Sequence, residues 1–184
     1  VPQNIGSFTA SFNYHASNTG GGDTSDGVVF VLQNQGLSAL GGLGGNLGYV
    51  GISNATGIAF NLLANGATPG TGYAPTSVPY NYQSVAPVNM LDPLAITLTY
   101  DGTTLHEFIH DNSSGANFNT SYVVDLKTAV GGNTAYVGFT GATGLGAALQ
   151  LVNNFAYVVP EPSVFSIGLL AFGLLRFARK RRAN

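Results

Sequence analysis

The sequence predicts an all-β fold in which two antiparallel sheets pack as a sandwich. Three observations carry that expectation. Short strand-forming runs recur between turn signals as far as residue 158, no segment repeats apolar residues at helical spacing, and 26 glycines punctuate the runs.

Each element has its own reason. Residues 7–14 alternate polar and apolar side chains (Ser7, Phe8, Thr9, Ala10, Ser11, Phe12, Asn13, Tyr14), as a half-buried strand does. Residues 28–32 are continuously apolar after Asp26-Gly27, which predicts a strand covered on both faces. Further strands are expected at 57–63, 94–100, 104–110, 117–124, 134–140 and 147–157, with Asp101-Gly102 as a hairpin turn. Residues 64–93 contain Pro and Tyr, show no clear periodicity and are expected to form one long loop, a length often tied to function. Residues 44–57 and 131–144 agree at nine of fourteen positions, and both are expected to run turn, short strand, Gly turn.

Charge is distributed unevenly. Five of the six basic residues (Arg176, Arg179, Lys180, Arg181 and Arg182) fall in the last nine positions. Up to residue 163 a single basic residue, Lys127, stands against eight acidic ones, a net charge of −7 that repels phosphate backbones and argues against nucleic acid as a partner. Only 8% of the chain is charged, so Gly, Asn, Ser and Thr must form the polar surface, which suits an exported β-protein meeting neutral ligands. Without cysteine the chain has no disulfide and no thiolate metal site. The sequence begins at Val1 without Met, so a leader is expected either to have been removed or not to have been included.

The basic cluster closes a three-part terminus. Val159-Pro160-Glu161-Pro162-Ser163 breaks any regular element, residues 164–175 are uninterruptedly apolar, and the arginines follow. Apolar residues before basic ones place the charges on the cytoplasmic side of a membrane. The apolar run is expected to form a short hydrophobic helix, although twelve residues fall short of the roughly 20 that span a bilayer. Residues 159–184 resemble the bacterial PEP-CTERM sorting signal, with Val159, Pro160, Glu161 and Pro162 as its box. The resemblance implies export, anchoring through the C-terminus, processing by an exosortase-type membrane protease, and a final place at the cell surface or in the extracellular matrix. Residues 1–158 then form the working domain.

That domain resembles the L-type (legume-type) lectins over about residues 6–157. Ser7-Phe8-Thr9-Ala10-Ser11-Phe12 matches their opening strand, and Ser25-Asp26-Gly27-Val28-Val29-Phe30-Val31-Leu32 their A-D-G segment. Gly44-Gly45-Asn46-Leu47-Gly48 matches a G-G-x-L-G turn, while Leu98-Thr99-Tyr100-Asp101 and Asp125-Leu126 match later strand ends. The most specific match is the block Tyr136-Val137-Gly138-Phe139-Thr140-Gly141-Ala142-Thr143-Gly144. The resemblance implies a concanavalin A-like jelly roll binding sugar in loops at one end. By motif, Asp26 is the carboxylate accepting sugar hydroxyls, Gly44 or Gly45 offers an N–H, and Asn65 is the amide. Ala142, Thr143 and Gly144 form the last binding loop, and Tyr73, Tyr80 or Tyr82 stacks on the sugar ring.

One strand departs from the family. Where it reads φ-E-F-D-T-x-x-N and supplies a transition metal and Ca²⁺, this chain reads Ile58-Ala59-Phe60-Asn61-Leu62-Leu63-Ala64-Asn65. Hard cations want several carboxylate oxygens, and this segment offers neutral amides. The expectation is loss of the metal pair, leaving at most a weak Ca²⁺ site through Asn61, Asn65 and the Leu63 carbonyl.

Two enzymatic readings fail on spacing. His106-Glu107-Phe108-Ile109-His110 spells the zinc-protease motif, which requires a helix. Here turn signals flank a strand pattern, and histidines four strand positions apart lie about 13 Å from one another, too far for one Zn²⁺. Glu107 and Asp111 only approximate a glycosidase pair, lacking the middle acid of E-x-D-x-x-E. The sequence therefore points to a non-enzymatic protein binding a neutral glycan or exopolysaccharide. The alternative is a structural or matrix protein on the same scaffold.

Overall fold

The computed structural model describes residues 1–19, 23–62, 69–75, 81–144 and 146–161. Among these residues eleven strands form two antiparallel sheets. The six-stranded sheet runs β1 (Gln3–Asn4), β10 (Thr134–Ala142), β3 (Gly27–Gln33), β4 (Ala55–Asn61), β5 (Gly70–Ala74), β6 (Gln83–Ser84). The five-stranded sheet runs β11 (Ala148–Val158), β2 (Phe8–Asn18), β7 (Leu94–Tyr100), β8 (Thr104–Asp111), β9 (Asn117–Val123).

Alternation decides which side chains enter the sandwich. On β2 the residues Phe8, Ala10, Phe12, Tyr14 and Ala16 are buried, and those between them are not. They meet Phe30, Ile58 and Phe60 from the other sheet, with Ile96, Leu98 and Tyr100 from β7. Aromatic contacts knit this layer: the Phe12 ring stacks on Phe30 at 6.1 Å and meets Phe139 edge-on at 4.8 Å.

β3 and β4 are buried at every position, as the continuous apolar run of β3 requires. Their second face (Val29, Val31, Ala59) lies under Leu47, Tyr49 and Ile52, carried by the segment between β3 and β4. The Tyr49 hydroxyl donates to the Ala74 carbonyl at 2.8 Å and ties that segment across the sheet. A second hydrophobic layer thus fixes the loop that holds Gly44 and Gly45.

Four expectations need correction. Residues 64–93 are not one irregular loop, because β5 and β6 lie within them. Their apolar pattern is missing since Gly70 and Gly72 stand where any side chain would strike the Gln83 and Asn81 carbonyls. A one-turn helix, α1 (Leu126–Val130), is added to the all-β sandwich where no helical segment is expected. Five residues are too few to show helical periodicity, and its signature is in the caps: Asp125 accepts from Thr128 N at 3.0 Å, and Gly131 takes the left-handed C-cap. Asp125-Leu126 is therefore a cap and helix start, not a strand end. Residues 44–57 and 131–144 do not share a structure: Gly44–Asn46 is a 3-10 turn and 47–51 stay in turns, whereas 134–142 is strand. Turn residues converged without a common backbone.

The last strand ends at Val158, and Val159, Pro160 and Glu161 continue without regular structure. Pro162, the apolar run at 164–175 and the basic end lie outside the described residues. No helix among the described residues is long and apolar enough to cross a membrane.

Candidate functional site

Asp26 immediately precedes β3, after a cis Ser25–Asp26 peptide bond. Two strand ends hold its backbone. Its N–H donates to the Ala142 carbonyl at 3.2 Å, and its own carbonyl accepts from Leu62 N at 2.9 Å. The side chain is 6% exposed, and Oδ2 is buried with no hydrogen-bond partner among the described residues. Burial raises the carboxyl pKa above its ordinary value.

Two glycines face that oxygen. A methyl group added to Gly144 would lie 3.0 Å from Asp26 Oδ2 and 3.6 Å from the Gly44 Cα. One added to Gly44 would lie 3.7 Å from the same oxygen. The structure therefore brings Asp26, Gly44 and Gly144 together at one end of the sandwich. Gly44 opens the 3-10 turn with φ of +62°, a backbone conformation suited to glycine, and Gly45 is the middle residue of that turn.

The 141–146 segment needs glycine for its packing as well. A side chain at Gly141 would press on Val28, and one at Gly146 would strike the Asp23 carbonyl and the Ser25 hydroxyl. Gly48 backs onto Gly141, where a Cβ would come within 2.9 Å of the Gly141 carbonyl oxygen. The two glycine-rich loops meet through these contacts. Ala142 contributes its carbonyl, which also accepts from Gln150 Nε2 at 3.2 Å, while Thr143 and Gly144 are exposed. Tyr14 donates to Gln150 Oε1 at 2.9 Å and so supports this loop from the core. Gln150 and Tyr14 carry no motif, and only their places on alternating strands distinguish them.

Tyr73 and Tyr82, two of the three expected stacking tyrosines, are packed away from this end. Tyr73 pairs with Ile58, three rungs from the Gly27–Asn61 pair beside Asp26. Its hydroxyl accepts from Thr56 Oγ1 at 2.7 Å, and its ring packs 6.0 Å from that of Tyr122 on the sandwich side. Tyr82 is packed into the layer beneath the 36–53 segment with Val29 and Val31. Both rings are used in packing: Tyr73 lies on β5, two places from β3, and Tyr82 precedes β6, three places from it. Tyr80, Asn65 and Leu63 lie outside the described residues.

The donor set does not suit the family's metal pair. Ala59 is fully buried against apolar neighbours, and Asn61 is an amide at the end of β4. Among the described residues no three His, Asp or Glu side chains gather as a cation cage. No chemistry is therefore assigned to a metal here.

The histidine motif lies on β8, where Leu105, Glu107 and Ile109 are buried and His106 is exposed. Glu107 is 1% exposed and accepts across the sandwich from Thr71 Oγ1 at 2.7 Å and within its own sheet from Tyr122 OH at 2.9 Å. Desolvation pushes its pKa up to about 7, although both hydroxyls oppose the shift.

No protein-family model matches the sequence. Solved lectin structures share the fold. Lectin II from Ulex europaeus superposes with a TM-score of 0.71 at 17% identity, covering 86% of this chain and 78% of its own. Winged bean acidic lectin, solved with methyl-α-D-galactose, gives 0.70 at 20% identity, covering 85% and 75%. Arcelin-5, a lectin-like defence protein from Phaseolus vulgaris, gives 0.69 at 18% identity, covering 85% and 75%. The chain thus has the jelly-roll sandwich fold of the legume lectins, with helix confined to short turns among the described residues.

Proposed function

We propose that this protein binds neutral glycans, such as exopolysaccharide, where Asp26, Gly44 and Gly144 meet at one end of the sandwich, without a bound metal pair. One observation carries the reading: a buried carboxylate oxygen that lacks a donor and faces two side-chain-free residues from separate loops. Leaving such an oxygen unpaired costs about 1–3 kcal/mol. A sugar hydroxyl reaching it between the glycines would relieve that cost, and backbone N–H groups of the 3-10 turn would serve the neighbouring oxygens. Here the layer of Leu47, Tyr49 and Ile52 takes over loop anchoring. Winged bean acidic lectin, of like fold, was solved with a galactoside, which favours a sugar over other neutral ligands.

Export belongs to the same proposal. The Val159–Pro160–Glu161–Pro162 box, the apolar run and the arginines form a sorting signal processed by an exosortase-type protease. The domain first hangs from the membrane by its C-terminus and then resides at the cell surface or in the matrix.

The neutral replacements Ala59 and Asn61 support a second reading, a matrix protein that keeps the scaffold without binding sugar. Full-length protein on a neutral-glycan array, with and without Ca²⁺, separates the two. Binding abolished by Asp26→Ala supports the lectin reading. Silence across the array under both conditions supports the scaffold. Fractionating cells for intact and trimmed chain tests the sorting signal, and a single untrimmed cytoplasmic species would contradict it.

A further inference from the structure

Leu40 and Leu43 are 67% and 72% exposed, yet neither belongs to a loose segment. The residues between them are clamped: Gly41 N donates to the Gly48 carbonyl at 2.7 Å, and Gly42 N to the Val50 carbonyl at 2.8 Å. Leu43 is bonded directly to Gly44, the residue facing Asp26 Oδ2. Leu40 Cδ1 approaches Gly48, whose other neighbour is Gly141, two residues from Thr143 in the opposite loop. Leu43 thus adjoins the glycine that faces Asp26, and Leu40 packs on the Gly48–Gly141 contact between the two loops, both exposed where polar residues would serve solubility better.

Building on the glycan-binding reading, we propose that these leucines make the site selective for neutral sugars bearing a methyl-terminated group, whether 6-deoxy, O-methyl or O-acetyl. Asp26 supplies hydroxyl recognition, and the leucines cover the apolar substituent. The net charge of −7 up to residue 163 disfavours uronic acids and sulfated sugars. Leu37, three positions before Leu40, is likewise 86% exposed.

The test is an array of matched pairs, each neutral hexose glycan beside its 6-deoxy, O-methylated and O-acetylated counterparts, probed with full-length protein. Covering one methyl-sized group predicts about four-fold tighter binding of the substituted member, which is about 0.8 kcal/mol. The three kinds of counterpart show which source of the methyl group is preferred. In Leu40→Ser/Leu43→Ser the preference should vanish while binding of the unsubstituted member stays. Equal binding within every pair, still abolished by Asp26→Ala, would overturn this inference and leave glycan binding intact. Retention of the preference in the double variant would also overturn it. Absence of any Asp26-dependent binding would overturn both readings.

Discussion

Glu107 and Thr71 join the two sheets through a 2.7 Å hydrogen bond inside the sandwich, one from β8 and the other from β5. The Thr71 hydroxyl has a single proton and a second acceptor, the Ala59 carbonyl at 3.1 Å. That proton is shared between Glu107 Oε1 and the Ala59 carbonyl, and Tyr122 donates to the other carboxyl oxygen at 2.9 Å. Desolvation outweighs both donors and favours the protonated acid, raising the pKa to about 7.

That state has a thermodynamic consequence. The folded pKa stands at about 7 against an ordinary 4.5, so the folded protein holds a proton that the unfolded chain has released over this range. The stabilisation is complete below pH 4.5 and is lost as pH rises through about 7. Denaturant unfolding should show stability falling by up to about 3 kcal/mol between pH 5 and pH 8 from this group. Glu107→Gln, a neutral isostere, should flatten that dependence. An unchanged slope in the variant would assign it to other groups.

Gly144→Ala should weaken glycan binding by about ten-fold or more, because its methyl group would crowd the Asp26 carboxylate and the Gly44 backbone. Gly144 is exposed and has no left-handed φ, so the melting temperature should barely move. Calorimetric titration together with thermal unfolding checks both halves of this prediction.

Asp26 should impose a pH dependence on binding. Only the ionised carboxylate accepts from hydroxyls with both oxygens, and burial raises its pKa above 3.8. Affinity should thus fall on acidification, with a midpoint above 3.8. The Asp26→Asn variant should lose this response along with most of its affinity, as judged by titrations across the acid range.

Chelation should leave binding unchanged. Ala59 and Asn61 offer no carboxylate to a cation, and loop anchoring falls to Tyr49 and its 2.8 Å bond to Ala74. Binding measured before and after dialysis against a chelator checks this. Loss that Ca²⁺ restores would indicate a cation site.

The strands were legible wherever a side chain had to face the core. Phe8, Phe12 and Tyr14 announce β2 by alternation, and Val28 to Leu32 announce β3 by doubled burial. β5 was not legible because tight backbone contact replaced its side chains with glycine. The helix α1 was hidden by its length and marked only by Asp125 and Gly131. At the site, the meeting of Asp26 with Gly44 and Gly144 follows from motif resemblance. The supports Gln150 and Tyr14 do not, since a core strand residue and a loop prop look alike in sequence. The tyrosines misled for a related reason: an aromatic beside a long loop is equally a packing residue, and Tyr73 proved to be one.

The most direct measurement is a crystal structure of the protein with its best array ligand. The account predicts sugar hydroxyls within about 3 Å of the Asp26 carboxylate and the 3-10 turn at Gly44–Asn46, with no metal between the loops. A sugar seated elsewhere, on the outer face of the five-stranded sheet for example, with Asp26 still closed beneath the two glycines, would contradict it.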